Sequence, residues 1–240
     1  GIPAVAGGPD SLLREVTAEL EIYYGDKHKI LANEGSAVAH AVGLYAARPE
    51  LTMVYMQNSG LGNALNPLVS LANSNVFGVP MVLLIGWRGE LGYDGVQISD
   101  EPQHLLQGRI TRGILDLAEI PHVILDAQSD AVKILHDMCA MARDVCGPVA
   151  LLVTKGAFDD PNRVSTRPET LFPSREECIE VISNSLPDLA PVIAATGMIG
   201  RELSEVRQKR GIQGKSDLLV VGGMGHASTI AAAFSSALSG

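Results

Sequence analysis

Short apolar runs recur along the chain at residues 2–6, 29–32, 52–56, 81–85, 122–125 and 149–153. Most are continuous rather than alternating, the pattern of strands whose two faces are both covered. Between them lie stretches with helical character at 11–24, 36–47, 61–74, 103–106 with an irregular continuation, and 129–145. Strand and helix alternating in this way predicts an α/β fold with a mostly parallel sheet. Asp10-Ser11 before Leu12-Leu13 reads as a helix N-cap, and so does Ser129-Asp130 before Ala131. Gly147-Pro148 stops a helix and leads into the last of these strands.

Residues 156–173 are rich in Asp, Pro, Asn, Arg and Thr and read as a linker. A second unit follows. It has a helix at 174–184, a strand at 192–195 and a turn at Thr196-Gly197 opening a helix at 201–210. A strand at 217–221, a Gly-rich turn at 222–228 and a small-residue helix at 229–238 complete it. Two βα units do not close a doubly wound domain, so this unit is expected to be unfinished. The expected division is 1–157, a linker with its connecting helix at 158–187, and an incomplete domain at 188–240.

With 46% hydrophobic and 19% charged residues, the 240-residue chain has the composition of a folding sequence. Its net charge of -9 and the lack of a Lys/Arg cluster argue against a general nucleic-acid binder. Cys139, Cys146 and Cys178 form no Cys-x-x-Cys pair, which points to reduced thiols and a cytoplasmic location. The run 81–86 is apolar but too short to cross a bilayer. No signal peptide is visible. Because the chain starts at Gly1 without Met, residues upstream are expected.

Five segments carry polar residues where a plain α/β scaffold has no need of them. Asn33-Glu34-Gly35 places an acid at a strand-to-helix junction, where a first-turn acid is also the ordinary structural reading. The tract Gln57-Asn58-Ser59-Gly60-Leu61-Gly62-Asn63 combines glycines that permit close backbone approach with amides that satisfy a heteroaromatic edge or a water. Trp87-Arg88-Gly89-Glu90 follows a buried strand and offers an Arg for an anionic group. Asp100-Glu101-Pro102-Gln103-His104 supplies a histidine for proton transfer, against the alternative of a solvent-facing side chain. Residues 91–99 between these two read as a mobile loop with a turn at Asp94-Gly95. Gly223-Met224-Gly225-His226 stands between a strand and a helix, a turn that presents N–H groups to phosphate.

The run from Val54 to Pro67 resembles, nearly residue for residue, the thiamine-diphosphate-dependent 2-oxo acid decarboxylases that act on phosphonopyruvate and sulfopyruvate. Gly8-Pro9-Asp10-Ser11-Leu12 and Gly223-Met224-Gly225-His226-Ala227-Ser228 resemble two further segments of that family, and Thr196-Gly197 with Arg201-Glu202-Leu203 a third, with Gly200 where the family has Ser. The resemblance implies a thiamine-diphosphate-binding fold: a pyrimidine-binding domain and the start of a similar diphosphate-binding domain. It implies that Glu34 contacts a ring nitrogen of the cofactor's aminopyrimidine, alongside Gln57, Asn58, Ser59, Gly60 and Asn63. Gly223, Met224 and His226 are then expected at the cofactor diphosphate, Ser11 and Arg88 at the substrate, and Gln103 and His104 at the reacting carbon. The family's magnesium-holding Gly-Asp-Gly segment and its following Asn lie beyond Gly240, so no metal ligand is expected in this chain, and the family's extra N-terminal helix is missing.

The resemblance implies a magnesium- and thiamine-diphosphate-dependent decarboxylase of phosphonopyruvate, truncated at its C-terminus, working as a homodimer or homotetramer with active sites between subunits. Sulfopyruvate is the near alternative. A non-catalytic homologue pairing with a complete partner is a second, and a generic nucleotide-binding α/β protein using the Gly223 turn is a third.

Overall fold

The computed structural model describes residues 1–158, 172–195, 197–212, 217–220, 222–223 and 225–238. The chain divides into two compact units, residues 1–163 and 164–240. Most of the expected linker, together with Thr196, Val221 and Met224, lies outside the described residues.

The first unit is built on β1 (Ala4–Gly7), β2 (His28–Ile30), β3 (Thr52–Gln57), β4 (Met81–Gly86), β5 (His122–Leu125) and β6 (Pro148–Val153). They form one six-stranded sheet in the order β2-β1-β3-β4-β6-β5, and every pairing is parallel. Alternate residues of the central strands feed two different cores. Val54, Met56, Leu83, Ile85, Ala150 and Leu152 face one side, and Met53, Tyr55, Val82, Leu84, Val149 and Leu151 face the other. This is why β4 and β6 are buried at every position and read as unbroken apolar runs.

The helices are α1 (Arg14–Tyr24), α2 (Glu34–Ala47), α3 (Leu61–Pro67), α4 (Pro102–Leu117) and α5 (Ala131–Asp144). Residues of α2, α3 and α4 join the first core, and those of α1 and α5 the second. Asn33 caps α2, its side chain accepting the Ser36 N–H at 2.9 Å, and Asp130 caps α5 in the same way through Lys133. The expected cap at Asp10-Ser11 does not form. Helix α1 starts later, with Leu13 at the N-cap and no side-chain bond, because Asp10 is drawn under the loop instead. The expected helix over 61–74 is also corrected. Pro67 has no N–H for the preceding turn, and the α-helix gives way to a π-helical turn over Leu68–Ala72.

The second unit holds α6 (Arg175–Ser185), a parallel pair β7 (Ile193–Ala194) and β8 (Leu218–Leu219), α7 (Met198–Lys209) and α8 (Ala227–Leu238). A capping box between Ser174 and Glu177 opens α6. The described strands are shorter than the apolar runs at 192–195 and 217–221. Arg175 pairs with Glu202, and buried Arg207 with Asp217 at 3.0 Å. Among the described residues no helix is long and apolar enough to cross a membrane.

Candidate functional site

The register of the parallel sheet brings the chemistry to one edge. Gly7 lies opposite Tyr55, Gln57 opposite Gly86, and Gly86 opposite Val153. The loops that leave β1, β3, β4 and β6 therefore emerge side by side at the carboxyl ends of the strands, the edge where open α/β sheets bind ligands.

Glu34 opens α2 and is 3% exposed. The Asn63 side chain donates to its Oε2 at 2.8 Å, and Oε1 has no hydrogen-bond partner among the described residues. Gly60 makes room for this side chain. A Cβ at position 60 would overlap Glu34 Cγ and lie 2.6 Å from Cδ. A buried carboxylate thus has one oxygen held by an amide and the other available to a ligand. Glu34, Gly60 and Asn63 come together as the sequence motif anticipates. Gln57 is half-buried and donates through Nε2 to Ser59 Oγ at 2.8 Å, on the same loop.

Asn58 has turned inward. It is 4% exposed, its Nδ2 donates to Arg88 O and Thr111 Oγ1, both at 2.9 Å, and its Oδ1 accepts the Arg88 N–H at 3.2 Å. Its amide stitches the β3 loop to the β4 loop and to α4, and both ends are used within the protein. Replacing Asn58 with Ala strands the Arg88 backbone groups and is expected to cost about 2 kcal/mol of stability, read as a lowered urea midpoint.

Arg88 is expected from the sequence as an open anion clamp, but the structure gives it partners. Its Nε and Nη2 donate to Asp100 at 2.9 and 2.5 Å, and Nη1 donates to Ser11 Oγ at 3.2 Å. Asp100 also takes the Gly89 N–H at 2.8 Å and stands 3.1 Å from His104 Nδ1. The Arg88 guanidinium, more than the other partners, holds the Asp100 carboxyl well below the usual carboxylate range, and Asp100 in turn raises Arg88. His104 is 7% exposed, so it does not face solvent. Gln103 is half-buried and donates to Glu101 at 2.5 Å.

Ser11, Arg88, Asp100, Glu90 and Lys155 line a cavity of about 260 Å³ beside Trp87. Glu90 takes the Lys155 N–H at 2.9 Å, and burial pushes its carboxyl pKa up. Within residues 91–99, expected as a mobile loop, Leu91 and Gln97 are bridged, and the Gln97 side chain donates to Gly89 O and Leu105 O. Sequence reasoning takes Asp10 for part of a cap and Glu90 only as the end of the Trp87–Glu90 segment, and it passes over Lys155. Each is an ordinary charged residue in its own segment, and only the neighbouring strands bring it to this edge.

In the second unit Gly223 and His226 lie in the turn before α8, with the His226 N–H bonded to Gly223 O at 3.2 Å. Met224, the third expected diphosphate contact, is outside the described residues. Among the described residues no group of three or more His, Cys, Asp or Glu is placed to hold a metal ion.

This sheet with its carboxyl-edge site is a thiamine-diphosphate-binding fold. Residues 1–113 match the model of the thiamine pyrophosphate enzyme N-terminal TPP binding domain. More particularly, the chain is similar to phosphonopyruvate decarboxylase from Streptomyces hygroscopicus, 30% identical over 96% of this chain and 58% of that protein. The Streptomyces viridochromogenes phosphonopyruvate decarboxylase is 29% identical over 96% of this chain and 59% of that protein. Sulfopyruvate decarboxylase subunit alpha from Methanococcus maripaludis is 28% identical over 64% of this chain and 86% of that subunit. The chain spans 58–59% of the length of the two phosphonopyruvate relatives.

Proposed function

We propose that the chain is the pyrimidine-binding part, and the beginning of the diphosphate-binding part, of a thiamine-diphosphate-dependent decarboxylase. Its proposed substrate is phosphonopyruvate, converted to phosphonoacetaldehyde and carbon dioxide in phosphonate biosynthesis. The observation that carries this reading is the buried Glu34 carboxylate in its glycine cradle, with Oε1 unengaged. Those residues suit an aminopyrimidine: Oε1 would be free to meet a ring nitrogen, with Asn63 holding Oε2 and Gly60 leaving room for the Glu34 side chain. When bound, thiamine diphosphate supplies the nucleophilic carbon and the electron sink for loss of carbon dioxide.

The chain's own residues do the rest. Ser11 and Arg88 line the cavity that would take the substrate's anionic group, and two Arg88 N–H groups are not used by Asp100 or Ser11. Asp100 orients both Arg88 and His104, and His104 is the candidate proton donor once carbon dioxide has left. Gly223, Met224 and His226 are proposed for the diphosphate, with magnesium held by residues outside this chain. A homodimer or homotetramer in the cytoplasm, with active sites between subunits, is part of the proposal. Similarity across 96% of the chain favours phosphonopyruvate, whereas the sulfopyruvate relative covers 64%. Sulfopyruvate remains the second reading because both substrates put a tetrahedral anion on a three-carbon oxo acid.

Calorimetric titration with thiamine diphosphate and magnesium, then aldehyde detection with each substrate, tests this on the chain and on a longer form carrying the magnesium-binding segment. The longer form is expected to bind cofactor and to turn over phosphonopyruvate faster than sulfopyruvate. Cofactor binding with no turnover of either acid would support a non-catalytic homologue instead. In the active form, Arg88→Ala is expected to raise KM about 10- to 100-fold with a smaller change in kcat. An unchanged KM removes Arg88 from substrate binding.

A further inference from the structure

The loop after β1 buries a carboxyl group that no helix cap needs. Asp10 is 6% exposed. Its Oδ1 accepts the Leu12 N–H at 3.1 Å, and its Oδ2 is buried without a hydrogen-bond partner among the described residues. An unpaired buried oxygen is costly, so packing alone would favour another residue here. The sheet makes room for it nonetheless. A Cβ at Gly86, the last residue of central strand β4, would overlap Asp10 Oδ2 and lie 2.9 Å from its Cγ.

Beside this carboxyl the next residue, Ser11, accepts from Arg88, which grips Asp100, which meets His104. Burial raises the Asp10 pKa to about 6, while the Leu12 N–H, Arg88 and His104 oppose the rise. Glu90 and Lys155 line the adjoining cavity, and Glu34 approaches Gly8 from α2.

We propose that Asp10 is a positioning residue that sets the charge of the Arg88 pocket and so its affinity for a doubly anionic substrate. As a neutral acid it adds no charge beside Asp100, the carboxylate bonded to Arg88 and His104. As a carboxylate it places a second negative charge behind Ser11 and offsets the attraction of Arg88. The inference rests on the reading of this pocket as the seat of the substrate's anionic group.

Sulfoacetate tests it, because its sulfonate and carboxylate stay ionised throughout the range of about pH 5.5 to 8. Calorimetry on the 240-residue chain compares the parent with Asp10→Asn, which mimics the neutral acid in shape. The parent is expected to bind about tenfold more tightly at the acid end, with the step centred near pH 6. Asp10→Asn is expected to hold the tighter affinity across the range, and Asp10→Ser replaces it if the amide variant does not fold. A parent profile without a step overturns the proposal and leaves the anion pocket standing. So does a step that persists in Asp10→Asn and disappears in His104→Gln, since the histidine is then the titrating group. No sulfoacetate binding at any pH overturns the Arg88 pocket and the proposal with it.

Discussion

Glu34→Gln in a complete, active form of this protein is expected to lower kcat about a thousandfold while leaving the melting temperature close to that of the parent. The substitution keeps the shape that Gly60 accommodates, and the new amide oxygen can still accept from Asn63. What changes is the group facing a ligand. A carboxylate oxygen that accepts, or shares, a proton becomes an amide that only donates at that position. Thiamine diphosphate affinity, measured by calorimetry on the same variant, separates a loss of cofactor binding from a loss of proton handling. Unchanged kcat in a folded variant would remove Glu34 from the chemistry and take the proposed function's main support with it.

Gly108→Ala is expected to be strongly damaging, at about 3 kcal/mol or a fall of about 10 °C in melting temperature. The segment after β4 lies directly on α4. A Cβ at Gly108 would overlap Gly89 O and lie 2.7 Å from Gly89 Cα, so it meets backbone and not a flexible side chain. Gly89 is itself in the left-handed region, at φ 67°. Trp87 Nε1 donates to Gly108 O at 2.9 Å, which ties the same approach from the side. Arg88 sits between these two contacts, so moving the segment also moves the anion pocket. Gly113→Ala in the same helix is the control. Nothing lies within 4 Å of its added Cβ, and the change is expected to raise stability slightly, by about 0.5–1 kcal/mol. Equal melting temperatures for the two variants would show that the Gly89–Gly108 approach yields more easily than its geometry indicates.

The chain by itself determined the alternation of strands and helices, because that information is local. A strand covered on both faces must be apolar throughout, and β3, β4 and β6 are found where such runs stand. The Asp130 cap, and Glu34 at its strand-to-helix junction, are likewise written within a few residues. Where a local signal competes with long-range packing, the local reading failed. Asp10-Ser11 has the composition of a cap, yet Asp10 is pulled under the β1 loop against Gly86, far along the chain. Asn58 looks like an amide offered to a ligand, yet Arg88 and Thr111 consume it. Only the tertiary structure decided the strand order, which places β6 between β4 and β5. Only it decided which acids are desolvated and which are paired. Asp10 and Asp100 are the same residue type, but burial raises one pKa and an arginine lowers the other. The reason is physical: burial and ion pairing depend on which distant segments meet, and a run of neighbouring residues does not contain that information.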